Sequence, residues 1–255
     1  MKRITVVSSV DGSREPSLLY LPRRVTRVPL LVGLHTWSAN LDNQVARMLP
    51  YARRLRWGLL LPEFRGNNLP GNPRARQACA SPLAKQDIVD AVDKVLADNP
   101  DRIDRSMILL LGASGGGHMA LVMAAFRPTL WRMVSSWVPI TDLAAWHRES
   151  PGYAPGMEAC CGGTPSAAPE EYRARSPITH VAEIAKAHVS IHHGKRDPSV
   201  PFTHSLNLYN AVMAHGRDAR VYLSIFDGGH ELRYPEAFAE LQRALRSSEG
   251  TPVTG

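Results

Sequence analysis

The chain has 255 residues, 44% hydrophobic and 21% charged, and its 30 Lys and Arg outnumber its 23 Asp and Glu for a net charge of +7. This length and composition support one sizeable core and exclude a disordered or low-complexity chain, and three cysteines are too few for a disulfide framework or a zinc site. The basic residues are scattered, with no run longer than Arg23-Arg24 or Arg53-Arg54 and no interleaved aromatics, so no nucleic-acid partner is expected and the surplus charge reads as a mild attraction for acidic substrates.

The opening Met1-Lys2-Arg3-Ile4-Thr5-Val6-Val7 lacks the apolar core of a signal peptide, and no later run reaches the roughly 18 apolar residues of a membrane span, so a cytoplasmic chain with no membrane partner is expected. A hairpin is predicted near residues 4–9 and 17–21, turning around Asp11-Gly12, and residues 29–34 read as the next strand. Val45, Met48, Leu49 and Ala52 fall on one face of a helix that Pro50 is expected to kink or break. Residues 57–61 form a strand, and Ser81-Pro82 supplies the N-cap and first position of a helix burying Ile88, Ala91, Val92 and Val95. Strands follow at 105–111, 133–138, 189–193 and 221–226, with helices starting near Phe202 and Pro235 and a frayed tail after Ser247. Strands alternating with amphipathic helices specify a single α/β domain over residues 1–255, a mostly parallel sheet covered on both faces.

The strand Ile108-Leu109-Leu110-Leu111 runs into Gly112-Ala113-Ser114-Gly115-Gly116 and then a helix. A G-x-S-x-G turn between strand and helix is the form of a nucleophile elbow: small flanking residues let the Ser hydroxyl project from the sheet edge, and the helix N-terminus behind it favours developing negative charge. Such a Ser needs a base, and the base an orienting acid. In chain order an acid and then a His should follow on later strand ends. Asp197 lies just past the strand at 189–193, and His230 in Asp227-Gly228-Gly229-His230 just past the strand at 221–226. Asp142, after the strand at 133–138, is a rival acid. Among the other His, His118 belongs to the buried helix one turn past Ser114, and His192 and His193 face opposite sides of a strand and are not expected to share a metal. His147, His180, His188, His204 and His215 carry no motif and read as surface or satisfied core residues.

An oxyanion hole takes one amide from the residue after the nucleophile, here Gly115, and one from the loop after the strand at 29–34, which reads His35-Thr36-Trp37-Ser38. The second donor is placed at the Trp37 amide, with His35 and Thr36 beside the substrate and the Trp37 ring as an aromatic wall; the alternative is an ordinary strand-to-helix loop with His35 in the core. Residues 141–188 form a connection long enough for a small cap over the pocket, with Trp146, Tyr153 and Met157 as its pocket-facing residues, the alternative being a disordered surface insertion. The loop at 63–74 offers Arg65 and Asn67 to a polar or anionic substrate group, or else Arg65 braces the loop by pairing with acids. Cys79 lies near the rim and Cys160-Cys161 in the cap, so a link between them would pin the cap in an oxidising compartment, whereas free thiols are the default in a reducing one.

The elbow, the acid loop His193-Gly194-Lys195-Arg196-Asp197-Pro198-Ser199-Val200-Pro201 and Gly229-His230, with Asp87-Ile88-Val89-Asp90-Ala91-Val92 and Tyr172-Arg173-Ala174-Arg175-Ser176-Pro177, resemble the prolyl oligopeptidase-like (S9-type) branch of the α/β-hydrolases, near the dienelactone hydrolase-like and the feruloyl and acetyl esterases. The resemblance spans about residues 28–246. It implies an α/β-hydrolase fold with a mostly parallel eight-stranded sheet, selects Asp197 over Asp142, and implies a Ser114, Asp197, His230 triad working without cofactor or metal. The expected activity is a serine hydrolase that forms an acyl-enzyme on a small ester, because S9-type peptidases commonly carry a screening N-terminal domain for which this chain has no room. An S9-type peptidase, and a catalytically silent binding protein on the same scaffold, are the alternatives.

Overall fold

In a computed structural model, residues 1–246 are described, so the tail expected to fray after Ser247 lies outside the described residues. One eight-stranded sheet is built from β1 (Lys2–Val7), β2 (Arg14–Tyr20), β3 (Val28–Leu34), β4 (Gly58–Pro62), β5 (Ile103–Ala113), β6 (Met133–Trp137), β7 (Val189–Gly194) and β8 (Val221–Phe226), in the order β1-β2-β4-β3-β5-β6-β7-β8. The opening hairpin is antiparallel, β2 meets β4 antiparallel, and every pair from β4 to β8 is parallel. The parallel pairs therefore end along one edge: Leu34 of β3 lies opposite Gly112 of β5, and Gly194 of β7 opposite Phe226 of β8. Loops leaving that edge hold the candidate functional residues.

Alternate strand residues divide between two cores, as the period of a strand requires. Val32, Leu34 and Leu110 pack with Ile88 and Val92 of α2 (Pro82–Asp98), Leu121 of α3 (Gly115–Phe126) and Leu208 of α8 (Thr203–His215). Their neighbours Leu31, Leu109 and Leu111 pack with Met48 and Ala52 of α1 (Val45–Leu55) and Phe238 and Leu241 of α9 (Tyr234–Arg246) on the other face. The cap of α2 is the expected one, with the Ser81 hydroxyl accepting from the Ala84 amide and Pro82 in the first turn. Pro50 does not break α1, which runs from Val45 to Leu55 around it. Both Pro50 and Ala46, whose carbonyl loses its amide partner, are solvent-exposed, so water can take that carbonyl.

Residues 141–188 fold into α4 (Leu143–Glu149), α5 (Ala154–Cys161), α6 (Pro169–Ala174) and the single turn α7 (Val181–Ile184). Leu143, Trp146, Met157, Cys160, Cys161 and Tyr172 from this segment form a third apolar cluster with Trp37, Cys79 and Val200. All three cysteines are free thiols buried in that cluster. Among the described residues no helix is long and apolar enough to cross a membrane.

Arg65 corrects one expectation. Its side chain is 1% exposed and is not among the residues lining the cleft at Ser114, donating instead to Asp87, to both carboxylate oxygens of Asp11 (2.8 and 3.1 Å), to Ser8 Oγ (3.1 Å) and to Gln77 (3.0 Å). Glu15 lies 3.8 Å away and is itself gripped by Arg74. The residue ties the 63–74 loop to the opening hairpin and to α2, which is the bracing alternative, and it does not reach substrate. Asn67 does the same locally: its Oδ1 accepts from the Leu69 amide and its carbonyl from Asn72.

Burial works against the charge of Arg65, and the hydrogen bonds to Asp11 and Asp87 more than offset it. The bond from Arg65 holds Asp11 below its ordinary carboxyl value of 3.8, and Glu15 sits below 4.5 because Arg74 and Ser13 outweigh its burial. Arg65→Met leaves Asp87 buried and unpaired, and should cost about 3 kcal/mol in urea unfolding at neutral pH. A depressed carboxyl contributes stability that is present above its ordinary value and is lost as pH falls through the depressed one. The gap between natural chain and variant should therefore narrow below about pH 4. An unchanged unfolding midpoint at neutral pH would show that Arg65 braces nothing.

Candidate active site

The turn after β5 has the strain expected of an elbow. Ser114 sits at φ 56° and ψ −123°, a backbone region costing a side-chain-bearing residue about 1–3 kcal/mol. Its amide donates to the Trp137 carbonyl at 2.9 Å, and its carbonyl accepts from His118 at 2.8 Å. The flanking glycines are steric requirements: a Cβ on Gly112 would lie 2.1 Å from the Gly116 carbonyl oxygen, and one on Gly115 2.5 Å from the Trp37 amide nitrogen. That second contact brings the Gly115 and Trp37 amides side by side, and neither is taken up in a backbone hydrogen bond among the described residues. Val138, also on the cleft wall, shares the left-handed backbone at φ 43°, an outlier for a β-branched residue, held by its amide bond to His192 O at 2.7 Å.

Past β7, the side chain of Asp197 is fully buried, with Oδ1 accepting the amides of Ser199 (2.8 Å) and Val200 (2.9 Å) and Oδ2 accepting from His230 Nδ1 at 2.7 Å. His193, also fully buried, points Nε2 toward the same Oδ2 at 3.3 Å while donating to Val200 O at 2.9 Å. Burial opposes ionisation of Asp197, but the bonds from His193, His230 and the Val200 amide outweigh it and hold the carboxyl well below the usual range. His230 keeps 24% of its side chain exposed and lines a cleft of about 530 Å³ together with Ser114. A buried, charged acid thus grips one ring nitrogen of an imidazole whose other face opens to the cleft.

Asp142, the rival acid, caps α4 by accepting from the Ala145 amide at 2.9 Å and has no part in this arrangement. His118 is buried and bonded to the Arg175 carbonyl at 2.7 Å. His192 faces the other side of β7, stacked on Trp137 and bonded to Glu240 at 3.0 Å. Among the described residues no group of three or more His, Cys, Asp or Glu could hold a metal.

The cleft is lined by Thr36, Trp37, Ser38, Val138 and Tyr153 together with Gln44, Arg47, Glu231, Leu232 and Tyr234. Of the expected substrate-contacting residues, Thr36 and Tyr153 are brought to it, with Trp37. His35 is not: it is 2% exposed, stacked on Phe64 at 3.9 Å and bonded to the Thr36 and Glu63 carbonyls, a satisfied core residue bracing the loop. Trp146 stands behind the wall, 1% exposed, its indole donating to Ser199 O at 2.9 Å and its ring stacked on Tyr153 at 4.7 Å. Met157 is fully buried in the cap cluster. The indole N–H of Trp37 is buried without an acceptor, close to Gly156 of α5.

Arg47, Gln44, Tyr234 and the supporting His193 were not anticipated from the sequence. The segment Glu231-Leu232-Arg233-Tyr234 directly follows His230, which is the signal that could have found it. Arg47 lies on the polar side of α1, a helix read only for its apolar face.

Comparison with known proteins agrees with this architecture. The chain is 31% identical over 125 residues to the uncharacterized peptidase YtmA of Bacillus subtilis (strain 168), covering 48% of each. Among solved structures it resembles the acylaminoacyl peptidase of Pyrococcus horikoshii (19% identity, TM-score 0.74, 97% of this chain and 41% of that one) and a puromycin-hydrolyzing peptidase of Mycobacterium tuberculosis (17%, 0.75, 99% and 40%). At these identities the structural likeness is one of fold, and the chain spans about half or less of the length of these relatives. Residues 84–246, which include Ser114, Asp197 and His230, match the prolyl oligopeptidase family (Peptidase S9), and the chain belongs to that family.

Proposed function

We propose that this chain is a serine peptidase acting on short peptides, with Ser114 as nucleophile, His230 as base and then acid, and Asp197 as its orienting carboxylate. The observation that carries this reading is the meeting of a strained Ser and a carboxylate-gripped His in one cleft, within the part of the chain that matches a peptidase family. That membership, with relatives bearing peptidase names, favours a peptide over the ester expected from the sequence. Ser114 Oγ adds to the scissile carbonyl as its proton passes to His230. The new oxyanion lies between the Gly115 and Trp37 amides. His230 returns the proton to the leaving amine as the C–N bond breaks, and water, deprotonated by the same imidazole, releases the acyl group. Thr36, Trp37 and Tyr153 bound the acyl side, with Trp146 fixing Tyr153 from behind.

The purified chain is expected to cleave the unactivated amide bond of N-acetylated dipeptides, read as released amine by mass spectrometry. Turnover of activated esters with no peptide cleaved would return the assignment to an esterase.

Ser114→Ala should lower kcat by about a thousandfold or more while the melting temperature holds. Asp197→Asn should cost about ten-thousandfold. Asp142→Asn should cost little, since Asn caps a helix nearly as well as Asp; the reverse ranking would move the acid to the end of β6.

Because Asp197 stays ionised, the acid limb of kcat/KM should fall with the slope of one proton. A two-proton slope would show the carboxylate titrating with the imidazole.

A further inference from the structure

The wall formed by residues after His230 does not end at the cleft. Arg47, Glu231, Leu232 and Tyr234 line both the cleft at Ser114 and a second open groove of about 580 Å³, which continues past Ala46, Pro50 and Tyr51 to Pro235 and Glu236. Glu231 and Leu232 directly follow the imidazole that hands its proton to the departing group and line this groove, which assigns the groove to the leaving-group side and the remaining cleft wall with Tyr153 to the acyl side. The two sides differ in charge. Thr36, Trp37, Ser38, Val138 and Tyr153 carry none.

On the leaving-group side four charged residues line the two cavities, and three of them are engaged with one another. Arg233 bonds Glu231 at 3.0 Å, lies 3.9 Å from Glu236 and rests its guanidinium over Phe226 at 4.2 Å. Arg47 is the fourth, and among the described residues no carboxylate pairs with it. Beside it the Tyr234 hydroxyl donates to Gln44 Oε1 at 2.7 Å, which leaves the Gln44 amide hydrogens pointing elsewhere, one of them to Asn43 Oδ1 at 2.9 Å.

We propose that Arg47 binds the free α-carboxylate of the leaving group, so that the preferred peptides are short ones cleaved to release a C-terminal amino acid. This deepens the peptidase reading and rests on it. A guanidinium suits the role because its fork of donors matches a carboxylate, and a cation on the polar face of a helix reaches the groove without a burial cost.

The test compares N-acetyl-Phe-Ala as free acid with the same peptide as its C-terminal amide, and in parallel the depsipeptides N-acetyl-Phe-lactate and N-acetyl-Phe-lactamide, in the natural chain, Arg47→Gln and Arg47→Lys. The expected result is a kcat/KM ratio of acid to amide of about fivefold or more in the natural chain, the scale of an ion pair at a partly open site. That ratio should collapse toward one in Arg47→Gln, be partly kept in Arg47→Lys, and weaken in high salt. A ratio near one in the natural chain, or one that Arg47→Gln leaves untouched, overturns the proposal. Cleavage of the depsipeptides alone with the ratio intact would sink the peptidase reading and keep Arg47 as a carboxylate reader, and cleavage of none of the four overturns both.

Discussion

The backbone of Ser114 holds a conformation that an L-residue avoids, and the surrounding structure is arranged to keep it there. Three forces converge on that one residue: its amide is taken by Trp137 on the neighbouring strand, its carbonyl begins α3, and Gly112 and Gly115 let Gly116 and Trp37 approach closer than any side chain would allow. Packing α3 on nearly every side by the sheet and its neighbours keeps the helix start from relaxing. The free energy stored in the turn is small beside the burial of α3, so the strain persists, and it holds the hydroxyl at the sheet edge and the two amides beside it.

The sheet places the other functional groups by the same geometry. Parallel strands β3, β5, β7 and β8 end at one edge, and each delivers one part: an amide, a hydroxyl, a carboxylate and an imidazole. The acid is buried and over-supplied with donors, while the imidazole it grips stays partly open. In the proposed reaction that asymmetry keeps the charge fixed at one end and lets the proton move at the other. His193 belongs to the fixed end, helping to keep the buried carboxylate ionised with no access to substrate.

What was legible in the sequence is what depends on neighbours along the chain. Apolar runs ending in Gly turns exposed β5, β7 and β8 and their loops, and a Ser-Pro pair exposed the start of α2. What escaped depends on partners far away. Arg65 is bound by Asp11 and Asp87, 54 and 22 residues distant, and nothing local distinguishes it from an arginine that binds substrate. His35 and Trp146 were read as facing substrate because they sit in the right loops, but ring stacking and a backbone acceptor draw both into the interior. Pro50 predicts a kink or a break because the sequence does not say that Ala46 faces water. Whether the bond cleaved is a peptide or an ester is illegible for another reason: both reactions would use the same hydroxyl, imidazole and carboxylate, and they differ only in the walls of the cleft.

Every step of the proposed reaction depends on the Ser114 hydroxyl being activated by His230. The most direct measurement is to treat the natural chain with a fluorophosphonate and map the adduct by peptide mass spectrometry. A single modification on Ser114, lost when His230 is replaced by Ala, is the predicted result. Label on another residue, or none on a folded chain, would contradict it.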